Sequence, residues 1–213
     1  ITVGGVVNVA GAGAVSSPGV GTYTRIGNIL GTLSAGTLTL TGGSGAFDWT
    51  PDDTHVTFTN LAVARQVTLA GDLSVPGDVS IRNAGVLYVN GHTVSIGGGL
   101  TTTSVGLRMQ NPSDLVDVQG DILWTGNSGN STWLSAGVLR GHADFSSQGA
   151  NMIHASGTHR VELLGPAAAV DIGFPSTNYF QHLQVQGAAI SQGSMPTVLG
   201  TLVLGASASL SAP

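Results

Sequence analysis

Carboxylates, tryptophans and histidines are the residues of this chain with chemistry to offer. Asp48, Asp52, Asp53 and His55 crowd into the stretch AFDWTPDDTH. Oxygen-rich loops of this kind bind Ca2+, which takes about six to eight oxygen ligands. Asp48, Asp52 and Asp53 are therefore candidate Ca2+ ligands. The spacing is not that of an EF-hand, and the glycine-rich nonapeptide calcium repeat is absent. The competing reading is a polar loop whose Asp side chains cap turns around Pro51. No other cofactor is implied.

A second acidic group, Asp114, Asp117 and Asp121, lies in PSDLVDVQGDILW, with Arg108 close by in sequence. Two carboxylates flanking a bond are what glycoside hydrolysis needs. Asp114 and Asp117 have opposite strand parity, however, so one strand would send them to opposite faces. Asp121 follows Gly120 and reads better as a corner residue. No catalytic residue is assigned, and the chain is not expected to be an enzyme. His154 and His159 are five apart without a third ligand at a convincing interval, which argues against zinc. No G-x-S-x-G elbow occurs, and the glycine runs at 42–45 and 97–99 precede no helix. Trp49, Trp124 and Trp133 are candidate sugar-stacking platforms if exposed. The alternative is that they pack at coil ends or under loops.

The elements that hold these residues are short. Apolar residues recur with period two: Leu73 with Val75, Val79 with Ile81, Val94 with Ile96, Val161 with Leu163, Leu183 with Val185. Alternation rich in Val, Ile, Leu and Thr is the strand signal. Corners at 71, 77, 85, 91 and 98 fall six to eight residues apart. Three such sides make a coil of about twenty residues, the mark of a solenoid. The phrase Gly71-Asp72-Leu73-Ser74-Val75 returns as Gly77-Asp78-Val79-Ser80-Ile81, and its opening returns at Gly120-Asp121-Ile122. Each phrase is read as one side with its own corner. Gly supplies the backbone angles, and Asp bonds nearby backbone N–H groups as in an Asx turn. Gly141 is counted as a further corner.

Residues 1–213 form a single repetitive domain on this reading. A cassette at 36–81 (GTLTLTG, FTNLAV, TLAGDLSVPGDVSI) is echoed at 157–210 (GTHRVELLG, FQHLQV, TVLGTLVLGASASL). The pattern stops partway through the second copy, as in a segment that adjoins a longer repetitive protein or meets neighbouring copies. Two features favour a different fold. Asn90-Gly91 between alternating runs is a strong hairpin signal, and WTGNSGNSTW (124–133) resembles a hairpin tip. The expected fold is an all-β, right-handed parallel β-solenoid (β-helix) of roughly ten coils. A β-sandwich or jelly roll is the alternative.

Composition narrows the partners. Only 8% of the residues are charged, the net charge is −5, and the six basic residues are dispersed arginines. Phosphate-backbone binding has no electrostatic footprint, so nucleic acid is not an expected partner. The absence of lysine excludes a Schiff base, and the absence of cysteine excludes disulfides and thiolate sites. No apolar run approaches the ~20 residues of a membrane helix. The first residues lack Met and a basic region and read as a mature or excised start.

The strings carried by Gly36, Thr37, Phe58, Asn60, Leu61 and Val63, by 69–81 and by 85–98 resemble the repeats of large secreted bacterial surface proteins of the β-helical, filamentous-adhesin type. That resemblance covers about half the chain. It implies an extended β-helix used as a stalk, adhesin or fibre component. The expected function is structural and non-catalytic: an extracellular or cell-surface filament element that associates with copies of itself or adjoining repeats through β-edges or coil ends. The alternatives are a glycan-binding adhesin module and a polysaccharide lyase or hydrolase on the same scaffold.

Overall fold

The computed structural model describes residues 2–9, 14–29, 32–42, 47–51, 54–103, 106–125, 132–147, 153–165, 170–171, 179–190, 197–206 and 208–211; residues 2–29, 170–171, 188–190 and 210–211 within these are described by backbone alone. All described regular structure is β, and every strand pairing is parallel. The chain is a parallel β-solenoid of about six turns. A sandwich would need antiparallel partners, and the described strands have none.

Three sheets line the solenoid. Sheet 1 holds Phe47–Trp49, Gln66–Leu69, Val86–Tyr88 and Gly106–Arg108. Single bridges through Met109, Leu134, Ala155, His154 and Tyr179 then carry it on to Tyr179–Phe180 and Thr197–Val198. Sheet 2 holds Leu73–Val75, Thr93–Ile96, Leu115–Val118, Val138–Gly141, Arg160–Leu163, His182–Val185 and Leu202–Leu204. Sheet 3 runs from Thr2–Val9, Ala14–Ile29, Thr32–Leu40 and Val56–Val63 through Val79–Ile81, Leu100–Thr102 and Ile122–Trp124 to Phe145–Ser147. A three-stranded sheet of Val170–Asp171, Ala188–Ile190 and Ser209–Ser211 follows it. From Gln66 to Trp124 the chain visits the sheets in the order 1, 2, 3.

Along sheet 2 the aligned positions are Leu73, Val94, Val116, Leu139, Val161, Leu183 and Leu202, so a coil takes between 19 and 23 residues. There are fewer turns than the expected ten because 2–40 runs as three strands of 8, 16 and 9 residues in one sheet, not as short three-sided coils.

Period two sorts the side chains. The expected inward ladder of Leu61, Val63, Leu69, Leu73, Val75, Val79, Ile81, Val94 and Ile96 is buried throughout and belongs to one continuous core. Each fully buried Val, Leu or Ile contributes about 1.5–3 kcal/mol. One inward column of sheet 3 reads Val63, Ile81, Thr102, Trp124, Ser147. The small Thr102 and Ser147 on either side leave room for the indole of Trp124.

Two corner expectations need correction. Gly141 is the last residue of a strand and faces inward, where Ile122 Cδ1 lies 3.1 Å from the position a Cβ would take. The pair Asn90-Gly91 has left-handed backbone angles, φ 57° and 88°, but it closes no hairpin. Its flanking strands lie in sheets 1 and 2 and do not pair with each other. The turn bends the chain around a corner, because each strand already has partners in the coils before and after it. Trp124 and Trp133 likewise flank no hairpin: Trp124 belongs to sheet 3, and Trp133 precedes a bridge of sheet 1.

Candidate functional site

The Gly-Asp corners are built along the solenoid axis. Gly77, Gly98 and Gly120 stack at the corner between sheets 2 and 3, with Gly98 N–H donating to Gly77 C=O and Gly120 N–H to Gly98 C=O, both at 2.9 Å. A Cβ on Gly120 would sit 2.8 Å from the Gly98 carbonyl carbon and oxygen. The acids do not form the local Asx turns expected of them. Asp72 accepts from Thr93 N–H at 2.9 Å, Asp78 from Gly99 N–H at 2.8 Å and Asp121 from Asp144 N–H at 3.1 Å. Each carboxylate reaches one coil ahead. Gly71 and Asp72 occupy the corner between sheets 1 and 2. Asp114 is buried and accepts backbone N–H groups from Gly91, Gln110 (2.7 Å) and Asn111 (2.9 Å). Its task is structural.

Asp48 is exposed, outward from the strand Phe47–Trp49, and Asp52 and Asp53 lie outside the described residues. Among the described residues, no group of three potential metal ligands comes together.

Asp117 points outward from sheet 2 into a charged row. Its carboxylate meets Arg140 Nη1 at 3.4 Å and His142 Nε2 at 2.9 Å. Arg140 Nε in turn donates to Glu162 at 2.9 Å, and Glu162 also takes Arg160 Nη2 at 2.7 Å. Glu162 raises the pKa of Arg140 further. Asp114, Asp117 and Asp121 therefore hold three different posts and do not converge. Arg108 lies in sheet 1, whereas Asp117 lies in sheet 2.

The tryptophans also separate. Trp124 is fully buried, so its assignment as a ligand platform is corrected: it is a core residue. Trp133 is half-buried in an outward row of sheet 1 that was not legible as a unit in the sequence. Register aligns Tyr88 with Arg108, and the bridges align Trp133 and His154 with the next coils. The Arg108 guanidinium lies 4.8 Å from the Tyr88 ring centre and 4.6 Å from that of Trp133. His154 and Tyr179 stack at 4.6 Å with 9° between their planes. Residues 20–25 apart would have revealed the row only once the coil length was known. Arg108 thus occupies one face of the Trp133 ring.

Trp49 lines a cleft of about 430 Å³ with Pro51, Phe58, Asp72, Ser74 and Pro76. The ring centres of Trp49 and Phe58 are 6.3 Å apart. Trp49 is 3% exposed, and its indole Nε1–H has no hydrogen-bond acceptor among the described residues. The cleft adjoins Leu73–Val75, one edge strand of sheet 2.

Leu202–Leu204 is the other edge strand. Leu202 and Leu204 continue the columns of Leu183 and Val185, which are each 1% exposed, yet are themselves 44% and 45% exposed. Leu199 and Val203 beside them are also open. Among described residues these four are the exposed large apolar side chains. No described helix is long and apolar enough to cross a membrane. Comparison with protein-family models, with curated proteins and with solved structures finds no significant match to this chain.

Proposed function

We propose that this protein is a non-catalytic rod element that extends by stacking copies of itself coil upon coil, in a surface or secreted fibre. The observation that carries this reading is the pair Leu202 and Leu204: inward positions of a ladder, left uncovered at its last described rung. A solenoid coil buries its inner face only against the next coil, whether that coil belongs to the same chain or to another copy. Head-to-tail contacts generate filaments when the rotation between copies does not close a ring. The extracellular placement rests on the resemblance of the repeats to secreted β-helical surface proteins and on the cysteine-free, weakly charged composition. Asp117, Arg140, His142, Arg160 and Glu162 are engaged with one another in one row, which supports a scaffold more than a reactive centre.

Sedimentation velocity over a concentration series, with negative-stain microscopy of the same samples, tests this. Concentration-dependent rods, lost in Leu202→Glu/Leu204→Glu with the β circular dichroism unchanged, are expected. A chain that stays monomeric at near-millimolar concentration overturns the reading.

A further inference from the structure

At the corner between sheets 1 and 2, strand register forms a column that runs from Asp72 and Thr93 to His182 and Thr201. In the four coil joins between, the N–H groups of Leu115, Val138, Arg160 and His182 donate to a backbone carbonyl one coil back, at 2.8–3.2 Å. At the two outer joins a side chain is the acceptor. The Asp72 carboxylate takes Thr93 N–H at the first, and His182 Nδ1 takes Thr201 N–H at the last, at 3.0 Å. The Gln181 carbonyl stands where the middle joins find their acceptor, and Gly200 N–H holds it at 2.8 Å. The imidazole lies against this segment: a Cβ on Gly200 would sit 2.7 Å from His182 Cε1 and 2.8 Å from Nδ1. A proton acts differently on the two acceptors. A backbone N–H only donates, so Nδ1 of His182 carries no proton in this geometry. An imidazolium is protonated on both nitrogens and has no acceptor left, and imidazoles change charge between about pH 5 and 8. Carboxylates keep their lone pairs through that range.

We propose that His182 is a pH-sensitive latch on the last described coil of sheet 2: neutral, it holds Thr201 and the strand Leu202–Leu204 in register, and protonated, it turns a donor toward Thr201 N–H and lets that strand loosen. The strand is thinly covered, with Leu202, Val203 and Leu204 all exposed, so few buried contacts offset the lost bond. Among the described residues, Arg160 stands in register with His182 on the preceding strand and is paired with Glu162 at 2.7 Å. Glu162, the one carboxylate on these neighbouring strands, is shared with Arg140 as well. His159 is buried and neutral, and across the corner in sheet 1 His154 and Tyr179 stack on each other. Residues 197–206 bring no titratable side chain from the other side. No free carboxylate therefore stands by to hold an imidazolium in place. The latch acts within one chain and does not depend on stacking between copies.

Two measurements on the full chain test the latch. In a 15N spectrum of the histidine rings at pH 8, assigned with His182→Asn, Nδ1 of His182 is expected to be the unprotonated nitrogen. Amide hydrogen exchange is followed by mass spectrometry at micromolar concentration and normalised to the free-peptide rate at each pH. Protection over 201–205 is expected to fall about tenfold between pH 8 and pH 5, the order of one lost hydrogen bond. His182→Asn supplies an acceptor with the reach of Asp72, which holds Thr93 in the same column, and is expected to keep its protection at both pH values. His182→Ala is expected to be weakly protected at both, with the β circular dichroism unchanged. The proposal is overturned if Nδ1 carries the proton at pH 8, or if wild-type protection over 201–205 is the same at both pH values. It is also overturned if the fall persists in His182→Asn, which would place the titrating group elsewhere.

Discussion

The carboxylate of Asp78 accepts the backbone N–H of Gly99 at 2.8 Å, one coil further along the chain. Asn60 does the same for the N–H of Asp78, also at 2.8 Å. These side chains replace ladder bonds at a corner where strands end and backbone donors would otherwise face only water. Asp78→Ala is expected to cost about 1 kcal/mol, the net worth of one such bond. Asp78→Asn keeps an acceptor and is expected to retain most of it. Thermal melting checks the cost, and faster amide exchange at Gly99 checks its location.

Two corner glycines are expected to respond oppositely to the same change. At Gly120 a Cβ would press on the Gly98 backbone at 2.8 Å, and neither backbone can move without breaking the stack. Gly120→Ala is expected to destabilise by about 1–3 kcal/mol, the usual cost of overpacking. At Gly71 the nearest atoms to a Cβ are Pro51 Cδ at 3.5 Å and Thr50 Cγ2 at 3.6 Å, ordinary contacts. Gly71→Ala is expected to be neutral or to stabilise by up to about 1 kcal/mol, through the entropy of the unfolded chain. Urea melts of the two variants decide the matter.

His159 is fully buried, and neither ring nitrogen has a hydrogen-bond partner among the described residues. Burial, with a smaller contribution from the charge of His182, lowers its pKa from 6.5 to about 3. The unfolded chain therefore takes up a proton that the folded chain refuses. Stability is whole above pH ~6.5 and falls as the pH drops toward ~3, at roughly 1.4 kcal/mol per unit. His159→Leu is expected to flatten that slope and to raise stability at pH 4 more than at pH 8. Chemical denaturation at several pH values measures it, and equal slopes in both proteins would contradict the assignment.

The sequence revealed the solenoid because its period-two runs and six-residue corners are local signals. GDLSV and GDVSI are two consecutive sides of one coil, on sheets 2 and 3 as their spacing implies. The longer echo is less regular in space: residues 36–40 lie on sheet 3, while 160–163 lie on sheet 2. Composition patterns repeat without repeating the corner at which they fall. Asn90-Gly91 suggested a hairpin because its backbone angles are the same in a reversal and in a corner. Trp124 looked like a candidate platform because only its neighbours across the stack, Thr102 and Ser147, show that there is room for it inside. The Trp49 cleft was half legible: the residue was singled out, but Phe58, Asp72, Ser74 and Pro76 join it only through the stacking of coils, which no short window contains.

Arg108 lies between Tyr88 and Trp133, over a face of each ring. Cation–π contacts contribute about 0.5–1 kcal/mol each at exposed sites, so Arg108→Ala is expected to cost about 1–2 kcal/mol. Arg108→Lys is expected to recover less than half of that, since a compact ammonium cannot lie flat against two rings at once. Trp49 and Trp124 are buried, so acrylamide quenching of the tryptophan fluorescence reports mainly on Trp133. Quenching should rise in Arg108→Ala as the guanidinium leaves the indole face. A loss of stability without that rise would mean that Arg108 supports the coil by other contacts and leaves Trp133 no more open than before.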